Sequence, residues 1–261
     1  MKKYYVFLMT IFLFSCTKEA TPPEPSKYFT SCEEMTDVTG LNLYQFEEPV
    51  QGTGILELSK RQIPEDFLRE MTTKELIYQI SRLDVFTSIF FLAQQGHGPC
   101  KYYVECLNMC TEFMYRRADA VQTLLQLLQR IDPSFIKYGN IEEFDSSWDC
   151  YFFHECLQIF ASRPEIINQM TEDEINRYID EMIRLINQFM DLETTGNNKY
   201  DNRFMLYGLC NVMLRYEFEP FLQLMETNEN INILMESGCT MFAKPLILIM
   251  DCIEKFRNRE K

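Results

Sequence analysis

The chain has 261 residues, with 25 Lys+Arg against 39 Asp+Glu and a formal net charge of −14. That balance excludes a nucleic-acid binder, because neutralising phosphate needs clustered Lys and Arg, and it excludes electrostatic docking on anionic lipid. With 46% hydrophobic and 25% charged residues the composition is that of a globular chain, while 15 Met beside 9 Gly and 10 Pro fit poorly with a turn-rich β protein.

Lys2 and Lys3 precede an apolar run of eleven residues, Tyr4 to Phe14. A spanning helix takes about 20, so the run reads as the core of a secretory signal peptide over residues 1–15. It ends in Leu13-Phe14-Ser15-Cys16, which resembles the bacterial lipobox, although Phe14 is bulkier than usual at its position. The resemblance implies that Cys16 becomes the first mature residue and is diacylated on its thiol. Two or more acyl chains hold a protein stably on a membrane where one does not. Cleavage removes two lysines and no acids, leaving 23 basic residues against 39 acidic ones. Residues 16–27 are the lipidated Cys and a tether: Thr17 to Lys27 carries three prolines and almost nothing apolar, a composition that stays extended. Thr17 is not the Asp that resembles an inner-membrane retention signal. A lipid-anchored protein of the outer membrane is expected, with its face, periplasmic or external, left open.

Residues 28–62 are mixed and punctuated by Gly40, Gly52 and Gly54, which predicts an irregular N-terminal segment with one short helix around Cys32–Thr36. From residue 63 to 261 the pattern is helical and nothing reads as a convincing strand. Pro64-Glu65-Asp66 is a helix start, with Pro pre-set for the first turn and acids at the positive end of the helix dipole. Thr72-x-x-Glu75 and Thr171-x-x-Glu174 are capping-box patterns. Ile175, Ile179, Met182, Ile186 and Phe189 recur at helical spacing, opposite a solvated face of Glu172, Asp173, Arg177, Asp180, Glu181 and Arg184. Val121–Ile131, Arg203–Tyr216 and Phe221–Met225 also read as helices. A last helix is expected to start at Pro245 and end near Arg257.

Cys100 to Met109 (CKYYVECLNM) aligns with Cys150 to Ile159 (CYFFHECLQI) at a spacing of fifty residues, with a looser third copy at Phe204–Met213. Two helices per repeat of this length resemble an armadillo- or HEAT-like solenoid, in which hairpins must stack to bury their faces. The expected fold is therefore all-α, a solenoid-like stack of about four hairpins over 63–261. A compact irregular helical bundle is the alternative. The stretches Cys32–Gly40 (CEEMTDVTG), Lys60–Glu65 (KRQIPE) and Met71–Ile77 (MTTKELI) are similar to a group of uncharacterised outer-membrane lipoproteins of Bacteroidales-type bacteria. That resemblance implies a lipobox, a short N-terminal segment and a helical body, and implies no activity.

Cysteine stands at positions 16, 32, 100, 106, 110, 150, 156, 210, 239 and 252. With Cys16 acylated nine remain, so at least one is unpaired or pairs between chains. Most of those on helices are expected to be buried fillers, and Cys100 and Cys150, at equivalent helix starts, are the expected exceptions. His97, Cys100, Cys106 and Cys110 supply metal-ligating types, as do Cys150 and His154, but their spacings match no zinc motif and no metal is expected. Catalysis by His97 or His154 lacks a placed nucleophile. Glu142, Glu143, Asp145 and Asp149 supply carboxylates of the kind used in glycoside hydrolysis, and acids at a helix start equally favour the dipole. The loop Asp191–Asn202 lacks the ligand order of a calcium loop. No Gly-rich phosphate loop is present, and no cofactor is expected.

The expected function is a non-catalytic protein- or peptide-binding helical module at the cell envelope. It is held to the membrane by lipid and faces a partner with a basic or neutral surface. Helices 118–131 and 172–190 are the expected lining of the binding side. The alternatives are a small-ligand or glycan-binding lipoprotein, using the 14 Tyr and 21 Phe, and a carboxylate-based hydrolase.

Overall fold

The computed structural model describes residues 28–46, 61–83, 106–135, 146–194, 203–237 and 246–259. The described protein is all-α, with no strand among those residues. In chain order the helices are α1 (Cys32–Thr36), α2 (Glu65–Glu70), α3 (Thr73–Ser81), α4 (Asn108–Arg116) and α5 (Ala120–Gln129), followed by a 3-10 turn, Pro133–Phe135. Then come α6 (Ser146–Ala161), α7 (Pro164–Ile167), α8 (Glu172–Thr194), α9 (Arg203–Arg215), α10 (Glu219–Thr227), α11 (Glu229–Ser237) and α12 (Leu246–Arg257).

Local signals set most of these bounds. The Glu34 amide donates to the Ser31 hydroxyl at 3.2 Å, so α1 starts at Cys32. Helix α2 begins at Glu65 behind Pro64 and carries Glu65 and Asp66 in its first turn. Both capping boxes form. The Thr72 amide donates to Glu75 Oε2 at 2.7 Å and the Glu75 amide to Thr72 Oγ1 at 3.2 Å. Thr171 and Glu174 repeat the exchange at 2.8 and 3.3 Å. On α8 the expected apolar set, Ile175, Ile179, Met182, Ile186 and Phe189, is wholly buried. Two helices were not expected. Helix α7 is a single turn started by Pro164, and in α11 only Ile231 and Leu234 are buried, too sparse a pattern to show a period.

Helices α6 and α9 organise the interior. Helix α6 packs on α1, α3, α5, α7 and α9, and α9 packs on α6, α7, α8, α10, α11 and α12. Thus α3, α6, α9 and α12 follow one another in a row, and α5 lies against α8. Stacked hairpins and a compact bundle both produce such neighbours. Side chains tie these layers together at recurring sequence distances. Arg117 donates to the Leu68 carbonyl at 2.6 Å, Gln169 to Met114 at 2.7 Å, Arg215 to Ile167 at 2.5 Å and Asn211 to Ser162 at 3.0 Å. Arg184 donates to the Leu128 and Ile131 carbonyls at 3.1 Å. These carbonyls lie at helix ends, where intrahelical donors have run out and the dipole is negative, so a guanidinium is a favourable cap.

One buried cluster runs from Phe29 to Phe256. The irregular segment 28–46 belongs to it. Met35 is wholly buried, and its carbonyl accepts from the Tyr78 hydroxyl at 3.0 Å. The Phe29 amide donates to the Arg130 carbonyl at 2.7 Å, with the Arg130 guanidinium 4.0 Å over the Phe29 ring. Further on, the Asn42 and Tyr44 amides donate to the side chains of Glu75 and Gln79, each at 2.7 Å. Two residues one turn apart on α3 thus satisfy the backbone of this irregular segment.

Leu107 and Leu157, equivalent in the fifty-residue alignment, are both wholly buried. Their backbones differ: Leu107 is the extended residue that precedes α4, with φ −102° and ψ 124°, and Leu157 lies within α6. Gln62 and Asn108 hold the break before α4. The Gln62 amide group donates to the Cys106 carbonyl at 2.8 Å and accepts from the Asn108 amide at 2.9 Å. Asn108 in turn brackets the Ile63 backbone, accepting from its N–H at 3.1 Å and donating to its carbonyl at 2.7 Å.

Candidate functional site

Several residues singled out by sequence fall outside the described residues: Cys16 with the whole of 1–27, His97, Cys100, Glu142, Glu143, Asp145, Cys239, Pro245 and the stretch 195–202. The others can be placed. Asp149 is exposed on the first half of α6. Asp191, expected in a loop, is an exposed residue of α8, because the helix continues to Thr194. Cys106 is half-buried in the turn before α4, so it does not share a helix face with Cys110, which is wholly buried. Among the described residues no group of three or more His, Cys, Asp or Glu is placed to hold a metal ion.

His154 sits in the middle of the most enclosed helix. Every residue from Cys150 to Arg163 is buried, since α6 is apolar nearly all round. The Gln158 amide lies 2.7 Å from His154 Nε2, one turn away, and the imidazole packs on Phe189 with centroids 5.0 Å apart. Burial first, and the Arg184 charge second, lower the His154 pKa to about 3. The ring is therefore neutral and enclosed, a core residue rather than an acid or base facing a substrate.

Most of the described cysteines behave as small apolar residues. Cys110, Cys156 and Cys210 are wholly buried, and burial pushes their thiols well up. Cys32 is half-buried at the first position of α1, and its thiol is shifted down, chiefly by a hydrogen bond with Cys150. Cys150 is fully buried, and that same bond pushes it up. The sequence pointed to Cys150 as an exception and missed Cys32.

The outer face of α8 is strongly acidic. The helix has seven acids against two arginines. Glu172, Asp173, Asp180 and Asp191 are exposed. Arg184 is turned inward, donating to Glu181 at 2.7 Å and capping the carbonyls at the end of α5. Glu172 accepts from the Tyr216 hydroxyl at 2.5 Å, and Asp180 from Arg257 at 2.5 Å. Asp173 and Asp191 add further exposed carboxylates to this helix. Of the described aromatic rings, Tyr28 and Tyr115 are the exposed ones, and they lie on different elements. Among the described residues no helix is long and apolar enough to cross a membrane. No protein-family model matches the chain, and no curated protein or solved structure does either.

Proposed function

We propose that the protein is a lipid-anchored module of the cell envelope that binds a basic or neutral protein surface through its helical body and carries out no chemistry of its own. The observation that carries the reading is the acidic outer face of α8, where Arg184 turns inward and Glu172, Asp173, Asp180 and Asp191 are exposed. Helix α5, the other expected lining element, packs against α8, so the two present adjoining surfaces. Such a field raises the rate of encounter with a basic partner, and added salt lowers it. The membrane attachment rests on the sequence: Lys2 and Lys3, the short apolar run and Leu13-Phe14-Ser15-Cys16. It also rests on the likeness to Bacteroidales-type outer-membrane lipoproteins.

The two parts are tested separately. Cys16→Ser should abolish incorporation of a fatty-acid probe; a mutant that still labels refutes the anchor. For the binding surface, the tagged lipidated protein is used to capture partners from its own envelope at low and high salt. A specific partner whose recovery falls with salt, and falls again with Asp173→Asn and Asp191→Asn, supports the proposal. Turnover of a glycan or peptide library that is lost on changing Glu142, Glu143 or Asp145 overturns it in favour of a hydrolase.

A further inference from the structure

Helix α1 lies chiefly on α6, and its first residue brings a thiol to that contact. Cys32 is half-buried and shares a hydrogen bond with Cys150, which is wholly buried. Cys150 Sγ also lies 4.0 Å from Met35 Sδ, so three sulfur-bearing side chains meet where α1 is pinned to α6. The two cysteines differ in the way that an attacking and a resolving thiol differ. Cys32 is half-buried, within reach of solvent, and accepts the bond from Cys150, which favours its thiolate; Cys150 is enclosed and keeps its proton. The neighbouring acids Glu33 and Asp149 act the other way on Cys32, and the bond with Cys150 outweighs them.

We propose that Cys32 and Cys150 are a redox site that closes reversibly to an intramolecular disulfide tying α1 to α6. The oxidant is a disulfide, either of a small thiol or of a dithiol oxidase. The Cys32 thiolate attacks one sulfur of that disulfide, forming a mixed disulfide and expelling the first thiolate. Cys150 then gives its proton to solvent or to that leaving thiolate, and its sulfur attacks Sγ of Cys32. The Cys32–Cys150 bond forms, the mixed disulfide breaks, and the second thiolate leaves. Two cysteine thiols are oxidised and one external disulfide is reduced to two thiols. Cys110, Cys156 and Cys210 do not start such an exchange, because they are enclosed and protonated.

The test equilibrates the purified full chain with glutathione disulfide and glutathione at graded ratios. Remaining thiols are then alkylated, and the protein is digested without reduction for mass spectrometry. The expected product is the Cys32 peptide joined to the Cys150 peptide, with loss of two hydrogens. In Cys150→Ala, Cys32 should be trapped as a mixed disulfide with glutathione. In Cys32→Ser, at the half-exposed position, Cys150 should stay a thiol. Closing so long a loop should also raise the melting temperature of the wild type by several degrees, an increase lost in both variants. If Cys32 and Cys150 both remain alkylatable at the most oxidising ratio, or if either is joined to another cysteine instead, the proposal is wrong. The wild-type peptide map decides this even if a variant fails to fold.

Discussion

Gly208 stands where α9 comes nearest to α8 and to the end of α6. A methyl group there would lie 1.9 Å from the Tyr178 hydroxyl and 3.0 Å from Ser162 Cα. The Tyr178 hydroxyl is itself buried without a hydrogen-bond partner among the described residues. Gly208→Ala should therefore lower stability by about 1–3 kcal/mol through overpacking. Tyr178→Phe, which removes an unpaired hydroxyl, should be neutral or stabilising. The double variant should recover most of the loss, since Ala also gains about 1 kcal/mol of helix propensity over Gly. Urea midpoints of the four proteins check this, and strict additivity would show that the two sites do not meet. His154 makes a prediction about pH. Its folded pKa is depressed to about 3 by burial and by Arg184, below its unfolded value. The unfolded state therefore binds the proton first, and stability present above about pH 6.5 is lost as pH falls, by about 1.4 kcal/mol per unit until the folded pKa. His154→Gln should flatten the fall between about pH 6.5 and 5. Parallel stability profiles for the two proteins would refute the assignment.

Helix ends carry much of the specificity of this fold. At the end of α9 the Phe218 amide reaches back to the Met213 carbonyl at 3.0 Å and the Glu217 amide to Leu214 at 2.9 Å. This is a Schellman ending, which puts the residue after the cap in the left-handed region, and Glu217 has φ 48°. Glu217 is exposed, and among the described residues its side chain makes no hydrogen bond or ion pair. Glu217→Gly should raise stability by about 0.5–1 kcal/mol, the relief of the Cβ clash less the added freedom of the unfolded chain. Equilibrium denaturation that shows no gain would mean the side chain has a role elsewhere. The end of α5 is closed from outside, by Arg184 of α8. Arg184→Met keeps most of the stem and removes four hydrogen bonds, to the Leu128 and Ile131 carbonyls, Gln188 and Glu181. A loss of about 1.5–3 kcal/mol is expected, and exchange of amides at the end of α5 should speed up. Unchanged exchange in α5 would show that the cap is dispensable.

The buried cluster joins α1 at one end of the described chain to α12 at the other. A continuous core unfolds as a unit. Met35→Ala and Phe256→Ala, both at wholly or almost wholly buried positions, should each cost about 2–5 kcal/mol and shift the same transition. If Met35→Ala leaves the main urea transition in place and produces a separate early one, α1 is an appendage and not part of the core. The acidic face of α8 matters on this same scale, because its field is a sum over residues that no single contact represents.

Much of the local structure was legible from residues three or four positions apart. Ser31 to Glu34, Thr72 to Glu75 and Thr171 to Glu174 each announce a helix start, and the apolar residues of α8 fall on one face at the spacing their burial requires. Such signals are short-ranged because a helix satisfies its backbone within one turn. Helix class and the acidic exposed face of α8 follow from them. The remainder depends on partners roughly 30 to 120 positions away, and so was not written in any local window. Only the packed chain placed Arg184 on the end of α5, set Tyr178 against Gly208 and held the turn at Cys106 and Leu107 ahead of α4 through Gln62 and Asn108. Only the packing of α1 on α6 brought Cys32 to Cys150. The physical reason is that a side chain's own pattern fixes which face it occupies, while the element that face meets is chosen by the shape and hydrogen-bonding needs of the whole core.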